Sequence, residues 1–459
     1  MGCKVVLGDI CSFSRGASIP RARMHDTGDY LYIHYGDLYK GFDLRIDVES
    51  PSKPIPFILR GEKVKESQCL KDQDIVYVLT SETVDDLGHA YLFNNPQNKL
   101  AVSGTETTIV RVKRRDLVIP AYLNYLMSSP CFIGELRRYV RGMKVFRVHP
   151  ADVSRIEIEL PHIETQRKVV SILDSIYTKQ RINTQLNGYL LELASTIFKT
   201  WFMNDDARYS TNKVAISEIA VINAGGDKPN VCQKTPSNKC PVPVYSNGTD
   251  NEGLYGYTSM AKVTEPSVTV SARGTIGFTC LRHQPYYPIV RLISATPKEG
   301  ITVEYLYLWL RNKMITGVGT TQQQLTVPMF KKYEIDVPSA RNLTKFTEIV
   351  RPLFNAIAAN KTENTELVEL RNALLPKLMS GEIDVSKIDL TQLNSHLAEY
   401  STVLGKLFPL STLKGTVMEN AIQLILAQMQ SVLNSPQLKR LKTVLTEILP
   451  GGKTIKDDS

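Results

Sequence analysis

The segment that begins Ile158-Glu-Leu-Pro161 and runs on to Trp201 indicates the architecture of this protein, because the chain contains it twice. It returns as Ile335-Asp-Val-Pro338, and residues 142–201 align with residues 319–378 without gaps, at a constant offset of 177 positions. Similarity at a fixed offset is typical of a repeated structural unit. The repeat predicts that one architecture is built two times along this chain.

The repeat extends to the beginning of each unit. Lys4-Val-Val-Leu-Gly-Asp-Ile is echoed 209 positions later by Lys213-Val-Ala-Ile-Ser-Glu-Ile. A third match pairs Pro120-Ala-Tyr-Leu-Asn-Tyr-Leu126 with Val303-Glu-Tyr-Leu-Tyr-Leu-Trp-Leu310. These matches, in the same order, divide the chain into two units, about 4–203 and 213–388, followed by a tail that is not repeated.

After its proline, each unit has the pattern of one long helix. Apolar residues recur at steps of three and four, which indicates a helix-packing seam. These seam positions are Val169, Ile172, Leu173, Ile176, Leu190, Leu193, Ile197 and Trp201 in the first helix, and Phe346, Ile349, Leu353, Ile357, Leu367, Leu370 and Leu374 in the second.

Asparagines interrupt both seams at equivalent places, Asn183 and Asn187 in the first helix and Asn360 and Asn364 in the second. Buried asparagines weaken packing but fix the register and the choice of partner helix. The alternative is a solvated face. Recurrence in both copies favours the seam.

The part of each unit before its long helix is rich in short β-branched and aromatic runs separated by glycine and proline turns. A short amphipathic helix follows (Ala121–Met127 and Val303–Arg311), then a glycine-containing loop and one more strand. The predicted strands include 30–35, 74–79, 107–112, 267–271 and 287–293.

The predicted fold class is α+β, with two β-rich domains separated by two long antiparallel, coiled-coil-like helices and followed by a helical tail. The predicted boundaries are 1–160 for the first β-rich domain, 161–204 for the first helix, 205–337 for the second β-rich domain, 338–388 for the second helix and 389–459 for the tail.

Composition excludes several classes of protein. A hydrophobic fraction of 42% excludes global disorder, and no apolar run approaches the roughly 20 residues of a membrane span. The N-terminus has no secretory pattern, and the seven scattered cysteines contain no Cys-x-x-Cys pair, so we expect reduced thiols in the cytoplasm. The net charge of +9 allows a polyanionic partner without proving one.

The densest cationic cluster is Arg137-Arg-Tyr-Val-Arg-Gly-Met-Lys-Val-Phe-Arg147, which has five cations and no acid. Such a segment suits phosphate contacts, although a solvated surface is the alternative. The second unit has Gly319-Thr-Thr-Gln-Gln-Gln-Leu325 at the same position. Arginine and lysine recognise guanine edges, whereas glutamine recognises adenine. The two copies therefore carry different base-reading chemistry at one architectural position.

Further cationic candidates are Arg21 and Arg23 in an early loop, the run Arg111-Val-Lys-Arg-Arg115, and Ser271-Ala-Arg-Gly-Thr-Ile-Gly277, which is either a contact turn or a structural hairpin. The predicted DNA-binding residues are Arg21, Arg23, Arg137, Arg138, Arg141, Lys144, Arg147, Arg273, Thr275, Thr321, Gln322, Gln323 and Gln324.

No motif for catalysis accompanies these residues. The chain has no phosphate-binding loop of the Gly-x-x-x-x-Gly-Lys-Ser/Thr type, no Gly-x-Gly-x-x-Gly element after a strand and no Asn-Pro-Pro-Tyr box of an amino-methyltransferase. The seven histidines do not have metal-ligand spacing. We predict no catalytic residue and no metal site in this chain.

Three motifs carry a resemblance to a known family. Pro161-His-Ile-Glu-Thr-Gln166 leads into a helix that ends in Phe198-Lys-Thr-Trp-Phe202, and Leu374-Leu-Pro-Lys-Leu-Met-Ser-Gly-Glu-Ile383 closes the second unit. Over about residues 4–388 the chain resembles the specificity (S) subunits of type I restriction–modification systems.

This resemblance implies a non-catalytic subunit with two target recognition domains, each of which reads one half of a bipartite, asymmetric site in double-stranded DNA. It implies that the two helices act as spacer and as docking surface for two methyltransferase subunits, to which restriction subunits are added. S-adenosylmethionine, ATP and Mg²⁺ would then belong to the partner subunits. The residues expected to serve the spacer helices are Gln166, Asn183, Asn187, Leu190, Trp201, Asn360, Asn364, Leu367 and Leu374.

The sequence departs from the family pattern in two places. The second helix begins Pro338-Ser-Ala-Arg-Asn-Leu343 and lacks the counterpart of Gln166, and the tail after about Thr391 is additional. The main alternative function is a coiled-coil structural adaptor whose heads bind protein instead of DNA. The missing methyltransferase motifs argue against a stand-alone modification enzyme.

Overall fold

The computed structural model describes residues 2–39, 41–84, 86–203, 209, 211–313, 315 and 324–387. Among these residues, unit 1 contains residues 2–180 and 365–387, and unit 2 contains residues 181–364. The predicted helical tail, 389–459, lies outside the described residues.

The chain up to the end of the first long helix follows the predicted order of short strands, short helix, strand and long helix. Its elements are β1 (Cys3–Val6), α1 (Leu7–Ile10), β2 (Cys11–Arg15), β3 (Tyr30–Ile33), α2 (Tyr35–Leu38), β4 (Arg45–Asp47), β5 (Phe57–Ile58), β6 (Ile75–Val78), β7 (Thr80–Ser81), β8 (His89–Asn94), β9 (Ala101–Ser103), β10 (Thr107–Val112), α3 (Pro120–Met127), α4 (Pro130–Arg137), β11 (Phe146–Arg147), α5 (Pro150–Val153), β12 (Glu157–Leu160) and α6 (Ile163–Phe202).

The same order returns in the rest of the chain. Its elements are β13 (Thr211–Ala215), α7 (Ile216–Ile219), β14 (Ala220–Ala224), β15 (Val242–Tyr245), β16 (Leu254–Thr258), β17 (Ser267–Val270), β18 (Thr279–Arg282), β19 (Tyr287–Pro288), β20 (Ile293–Pro297), α8 (Val303–Asn312), α9 (Val327–Phe330), β21 (Glu334–Pro338) and α10 (Ala340–Met379).

Sheet topology shows that the two units share one scaffold. The main sheet of unit 1 has the order β2-β10-β6-β8-β4, and that of unit 2 has the order β14-β20-β17-β18. In each unit the first strand pairs with the strand before the long helix, β1 with β12 and β13 with β21. The predicted α+β class with two repeated units is confirmed.

The central strand β6 shows why this region of the sequence is continuously apolar. All four of its residues are buried. Ile75 and Tyr77 pack into the cluster that also contains Leu173 of α6, whereas Val76 and Val78 pack into a second cluster on the other face of the sheet. A strand covered on both faces loses the alternation of polar and apolar residues.

An aromatic cluster anchors the end of α6 within unit 2. The Phe202 ring lies 5.1 Å from Phe346 of α10 and 5.4 Å from Tyr305 of α8, measured between centroids. Trp201 adds an edge contact to Tyr209 at 5.1 Å. The predicted seam residues at this end of the helix are therefore core residues of unit 2.

Two local predictions were wrong. The run 287–293 is not one strand, because Val290 and Arg291 have φ angles of 53° and 61° and break it between β19 and β20. In α10, Leu370 is 47% exposed, whereas its neighbour Arg371 is only 8% exposed. Arg371 turns inward because it donates to the carboxylate of Asp43 in unit 1.

Candidate nucleic-acid interface

The cationic cluster of unit 1 forms a hairpin after α4. Arg141 and Arg147 exchange backbone hydrogen bonds of 2.9 and 2.8 Å, and β11 joins the hairpin to β7. Gly142 has φ of 112°, and a Cβ atom there would lie 2.1 Å from the carbonyl oxygen of Val145. The tight turn therefore requires glycine and pushes Met143, which is 93% exposed, into solvent.

Acidic side chains hold three of the hairpin arginines. Arg138 pairs with Glu135 at 2.9 Å, Arg141 with Asp152 at 3.0 Å and Arg147 with Glu106 at 3.4 Å, while each arginine remains at least 61% exposed. Arg137, at the end of α4, and Lys144, at the hairpin tip, are also exposed. The pairs orient the guanidinium groups and leave much of their surface open to a ligand.

The early candidates Arg21 and Arg23 lie on a 3₁₀ turn. Arg23 pairs with Glu62 at 3.0 Å, and Arg21 lies 3.4 Å from both Asp37 and the Nδ1 atom of His34. Burial, with the charge of Arg21 as the second cause, lowers the pKa of His34 from its ordinary value of 6.5. A cation at this position therefore favours the neutral form of the histidine.

Tyr32 links this turn to the hairpin region. Its hydroxyl donates to the carbonyl oxygen of Ala17 at 2.8 Å and accepts from the backbone of Thr105 at 3.1 Å. The next residue, Glu106, is the partner of Arg147. These contacts tie the segment that precedes the Arg21 turn to the backbone beside Glu106.

Arg111, in contrast, serves the fold. Its guanidinium forks onto the buried carboxylate of Asp74 at 2.8 and 2.7 Å and also donates to the carbonyl oxygen of Cys69 at 2.9 Å. The hydrogen bonds to Asp74 raise the pKa of Arg111. Its position in strand β10, beside Asp74, therefore explains why Arg111 is present in the basic run 111–115.

In unit 2, the segment after β17 forms a tight turn. Gly274 and Gly277 have φ of 67° and 83°, and both Arg273 and Thr275 are exposed. Arg273 lies 3.5 Å from Oε1 of Gln324. The turn and the end of the glutamine segment therefore meet. Thr321, Gln322 and Gln323 lie outside the described residues.

One cation near the hairpin has no signal in the sequence. Arg15, at the end of β2, lies 2.8 Å from Nε2 of His149, and both residues line a recess of about 300 Å³. The two residues are 134 positions apart, so only the folded chain brings them together. Arg15 adds a further cation to the surface beside α5.

Gln166 is a buried junction between α6 and the loop before α3. Its side-chain amide donates to the carbonyl oxygens of Leu117 at 2.8 Å and Pro161 at 2.9 Å, and its oxygen accepts from the backbone of Ile119 at 3.0 Å. At the equivalent position of unit 2, Leu343 is 3% exposed.

A different polar contact joins the same elements in unit 2. The hydroxyls of Thr302, before α8, and Thr347, on α10, lie 3.0 Å apart. The second unit therefore replaces the glutamine by apolar packing and a threonine pair.

The four predicted asparagines face one another within unit 2. The Asn183 amide donates to Asn364 at 2.9 Å and to Glu363 at 2.7 Å, and Asn360 donates to Asn187 at 2.8 Å. The residue numbers of the pairs increase along α6 and decrease along α10, so these segments of the two helices are antiparallel. The remaining predicted helix residues are buried (Leu190 and Trp201) or half-buried (Leu367 and Leu374).

The described residues contain neither a metal centre nor a membrane-spanning helix. No group of three or more His, Cys, Asp or Glu side chains in these ranges is arranged to hold a metal ion. No helix within the same ranges combines the length and the apolar character needed to cross a membrane.

Comparison with known proteins gives consistent matches. A Mycoplasma pneumoniae protein named as a type I specificity subunit is 28% identical over 226 residues, which are 48% of this chain and 61% of that protein. The specificity subunit of the type I restriction enzyme HindI from Haemophilus influenzae is 25% identical in an alignment of 475 positions that covers 82% of this chain and 98% of that protein. The crystal structure of an S subunit from M. genitalium covers 82% of this chain and 96% of its own at 14% identity, with a TM-score of 0.48.

The family described as the type I restriction modification DNA specificity domain matches residues 4–191 and 210–369. These two matches cover both copies of the repeated scaffold and most of both long helices. The chain therefore belongs to the type I restriction–modification DNA specificity family.

Proposed function

We propose that this chain is the DNA specificity subunit of a type I restriction–modification complex. Unit 1 and unit 2 each read one half of a bipartite, asymmetric DNA site, and the long helices dock methyltransferase and restriction subunits. The chain itself is non-catalytic. S-adenosylmethionine, ATP and Mg²⁺ act in the partner subunits.

One observation carries the proposal: the two units place unlike contact chemistry on the same scaffold. The four strands of the main sheet in unit 2 follow the same order as four of the five strands in unit 1. Unit 1 presents an arginine hairpin before β12, whereas unit 2 presents Arg273 beside Gln324. Arginine favours guanine edges and glutamine favours adenine edges. Two heads of this kind suit two different half-sites.

The main experiment is methylation-sensitive sequencing of the host genome with and without the gene. We expect a bipartite methylated motif that disappears on deletion and returns on complementation. An unchanged methylation pattern would contradict the proposal. Capture of a protein ligand by the heads, without duplex binding, would favour the adaptor.

The arginine hairpin gives a second, residue-level test. The variant Arg138→Ala/Arg141→Ala/Lys144→Ala should weaken duplex binding by the complex and reduce the salt dependence of its affinity, by about 0.9 in logarithmic slope for each phosphate that the hairpin no longer neutralises. The measurement is fluorescence anisotropy over a range of KCl concentrations.

The matched control is Lys4→Ala/Arg60→Ala/Arg167→Ala, which removes the same charges from exposed positions of unit 1. Each of these residues pairs with an exposed carboxylate. Equal losses of affinity in both variants would show that net charge matters and that the hairpin does not.

A further inference from the structure

Two tyrosines on the three-stranded sheet of unit 2, β16-β15-β19, lie against lysine ammonium groups. The Nζ atoms of Lys228 and Lys234 are 5.2 and 5.3 Å from the ring centroid of Tyr255. The Nζ atom of Lys262 is 4.5 Å from the ring centroid of Tyr287. These distances are typical of cation–π contacts. We refer to these five residues as the lysine–tyrosine face.

Backbone hydrogen bonds hold the lysine-bearing loops against this sheet. Gln233 and Tyr257 exchange hydrogen bonds of 2.9 and 2.8 Å, and the backbone of Lys262 donates to the carbonyl oxygen of Tyr286 at 3.0 Å. The Nζ atom of Lys262 is 3.3 Å from the point where a Cβ atom of Gly226 would lie. The loop that leads to Lys228 is therefore next to Lys262.

The three lysines have no carboxylate partner among the ion pairs of the described residues. Lys228, Lys234 and Lys262 are all exposed. By contrast, Arg282 in the same unit is 5% exposed and pairs with Glu252 at 3.2 Å. The segment 225–239 carries Lys228 and Lys234 together with a further lysine, Lys239, and has a single acid. This surface presents positive charge that the fold itself does not neutralise.

Asn247 connects the lysine–tyrosine face to the Arg273 turn. Its side chain accepts from the backbone of Ala272 at 2.7 Å and donates to the carbonyl oxygen of Val290 at 2.7 Å. Val290 follows Tyr287 at the end of β19, and its own backbone donates to Gly226 at 2.9 Å. The face therefore continues the surface that carries the predicted base-reading residues of unit 2.

We propose that the lysine–tyrosine face binds the sugar–phosphate backbone of duplex DNA and so positions unit 2 on its half-site. This inference rests on the proposed function. Lysine is a point charge suited to phosphate, and phosphate contacts fix register without carrying sequence information. Protein–protein interfaces are depleted in lysine, so a protein partner fits this composition less well. Each ammonium held over a ring is also restricted before DNA arrives.

The test uses the full chain and a labelled DNA duplex of mixed sequence, titrated over a range of KCl concentrations. The variant Lys228→Gln/Lys234→Gln/Lys262→Gln should lower the slope of log affinity against log salt by about 2 to 3 and weaken binding at least about tenfold at low salt. The corresponding triple arginine variant should retain the slope. Because these side chains are exposed, both variants should melt at the temperature of the unmodified chain.

The matched control is Lys213→Gln/Lys332→Gln/Lys345→Gln, three exposed lysines of unit 2 outside the face. A slope in the first variant equal to that of the control would overturn the inference and leave the proposed function standing. An unmodified chain that binds no duplex would overturn the inference, whereas the proposed function fails if no bipartite methylated motif depends on the gene.

Discussion

The buried amide of Gln166 shows how single residues hold these repeats together. It satisfies three backbone groups at the junction of α3 and α6, and it is completely buried. Leu343 occupies the equivalent position of unit 2 and cannot form these side-chain hydrogen bonds. The structure places a hydroxyl pair, Thr302 and Thr347, between the same elements. A junction that keeps its geometry in both units thus needs no shared residue type.

We expect Gln166→Ala to lower the free energy of unfolding by about 2 to 3 kcal/mol, because it leaves buried backbone groups without partners. Urea denaturation followed by circular dichroism measures this loss. The exposed Gln97→Ala is the matched control, with an expected change within about 0.5 kcal/mol. Similar losses in both variants would contradict the structural role.

His34 adds a dependence on pH. Its Nδ1 atom caps α2 by accepting from the backbone of Gly36 at 3.1 Å, and its pKa is lowered from 6.5, mainly by burial. The unfolded state therefore binds a proton at His34 more readily than the folded state does. The contribution of neutral His34 to folding stability is present above pH 6.5 and is lost as the pH falls below that value.

We therefore expect His34→Asn, which keeps a capping acceptor but cannot titrate, to lose less stability than the unmodified chain between about pH 7 and pH 5. Melting temperatures across this range provide the measurement. The exposed His25→Asn serves as control. Parallel pH profiles for His34→Asn and the unmodified chain would refute the assignment.

At the scale of elements, the asparagine contacts define the register of α6 against α10 within unit 2. The pairs 183–364 and 187–360 follow one antiparallel register. A slip of the helices would leave these amides without partners and bury them against apolar side chains, which costs free energy. The seam residues supply packing, and the amides select one alignment.

A double-mutant cycle on Asn187→Ala and Asn360→Ala should give a coupling energy of about 0.5 to 1.5 kcal/mol, since each single change removes the same hydrogen bond. The free energies come from urea denaturation of the three variants. A second cycle that combines Asn187→Ala with the exposed loop variant Asn238→Ala should show no coupling. Additive changes in the first cycle would contradict the register role.

At the scale of the whole molecule, the repeat makes each β-rich region an exchangeable part. β13 pairs with β21, with Thr211 opposite Pro338, so the beginning and end of the second region meet in one ladder. Its ends therefore lie side by side where the chain enters and leaves. This arrangement suits replacement of residues 213–337 as one piece.

Exchange of residues 213–337 for the matching region of another family member should change one half of the methylated motif and leave the other half intact. The reason is that unit 1 keeps its own hairpin and its own strand order. Methylation-sensitive sequencing of a host that carries the chimaera is the measurement, with the unmodified gene as control. A change in both halves would show that the units do not read independently.

The order of elements could be read from the sequence because local patterns carry it. Apolar periodicity over 40 residues predicted both long helices, and β-branched runs predicted strands such as 107–112, because these signals depend on neighbours three, four or two positions away. The run 287–293 was misread. A backbone break at Val290 and Arg291 depends on the loops that pack around it.

The repeat, the α+β class and the cationic cluster of residues 137–147 could be predicted from the sequence, because each depends on local patterns of residue types. Which of these charges remain available to a ligand depends on the folded arrangement. In the folded chain Arg111 pairs with Asp74, and Arg15 lies beside His149. Two lysines of unit 2 lie over the ring of Tyr255. The physical reason is that ion pairs and ring contacts join residues far apart in the chain, and their geometry exists only after the strands have paired.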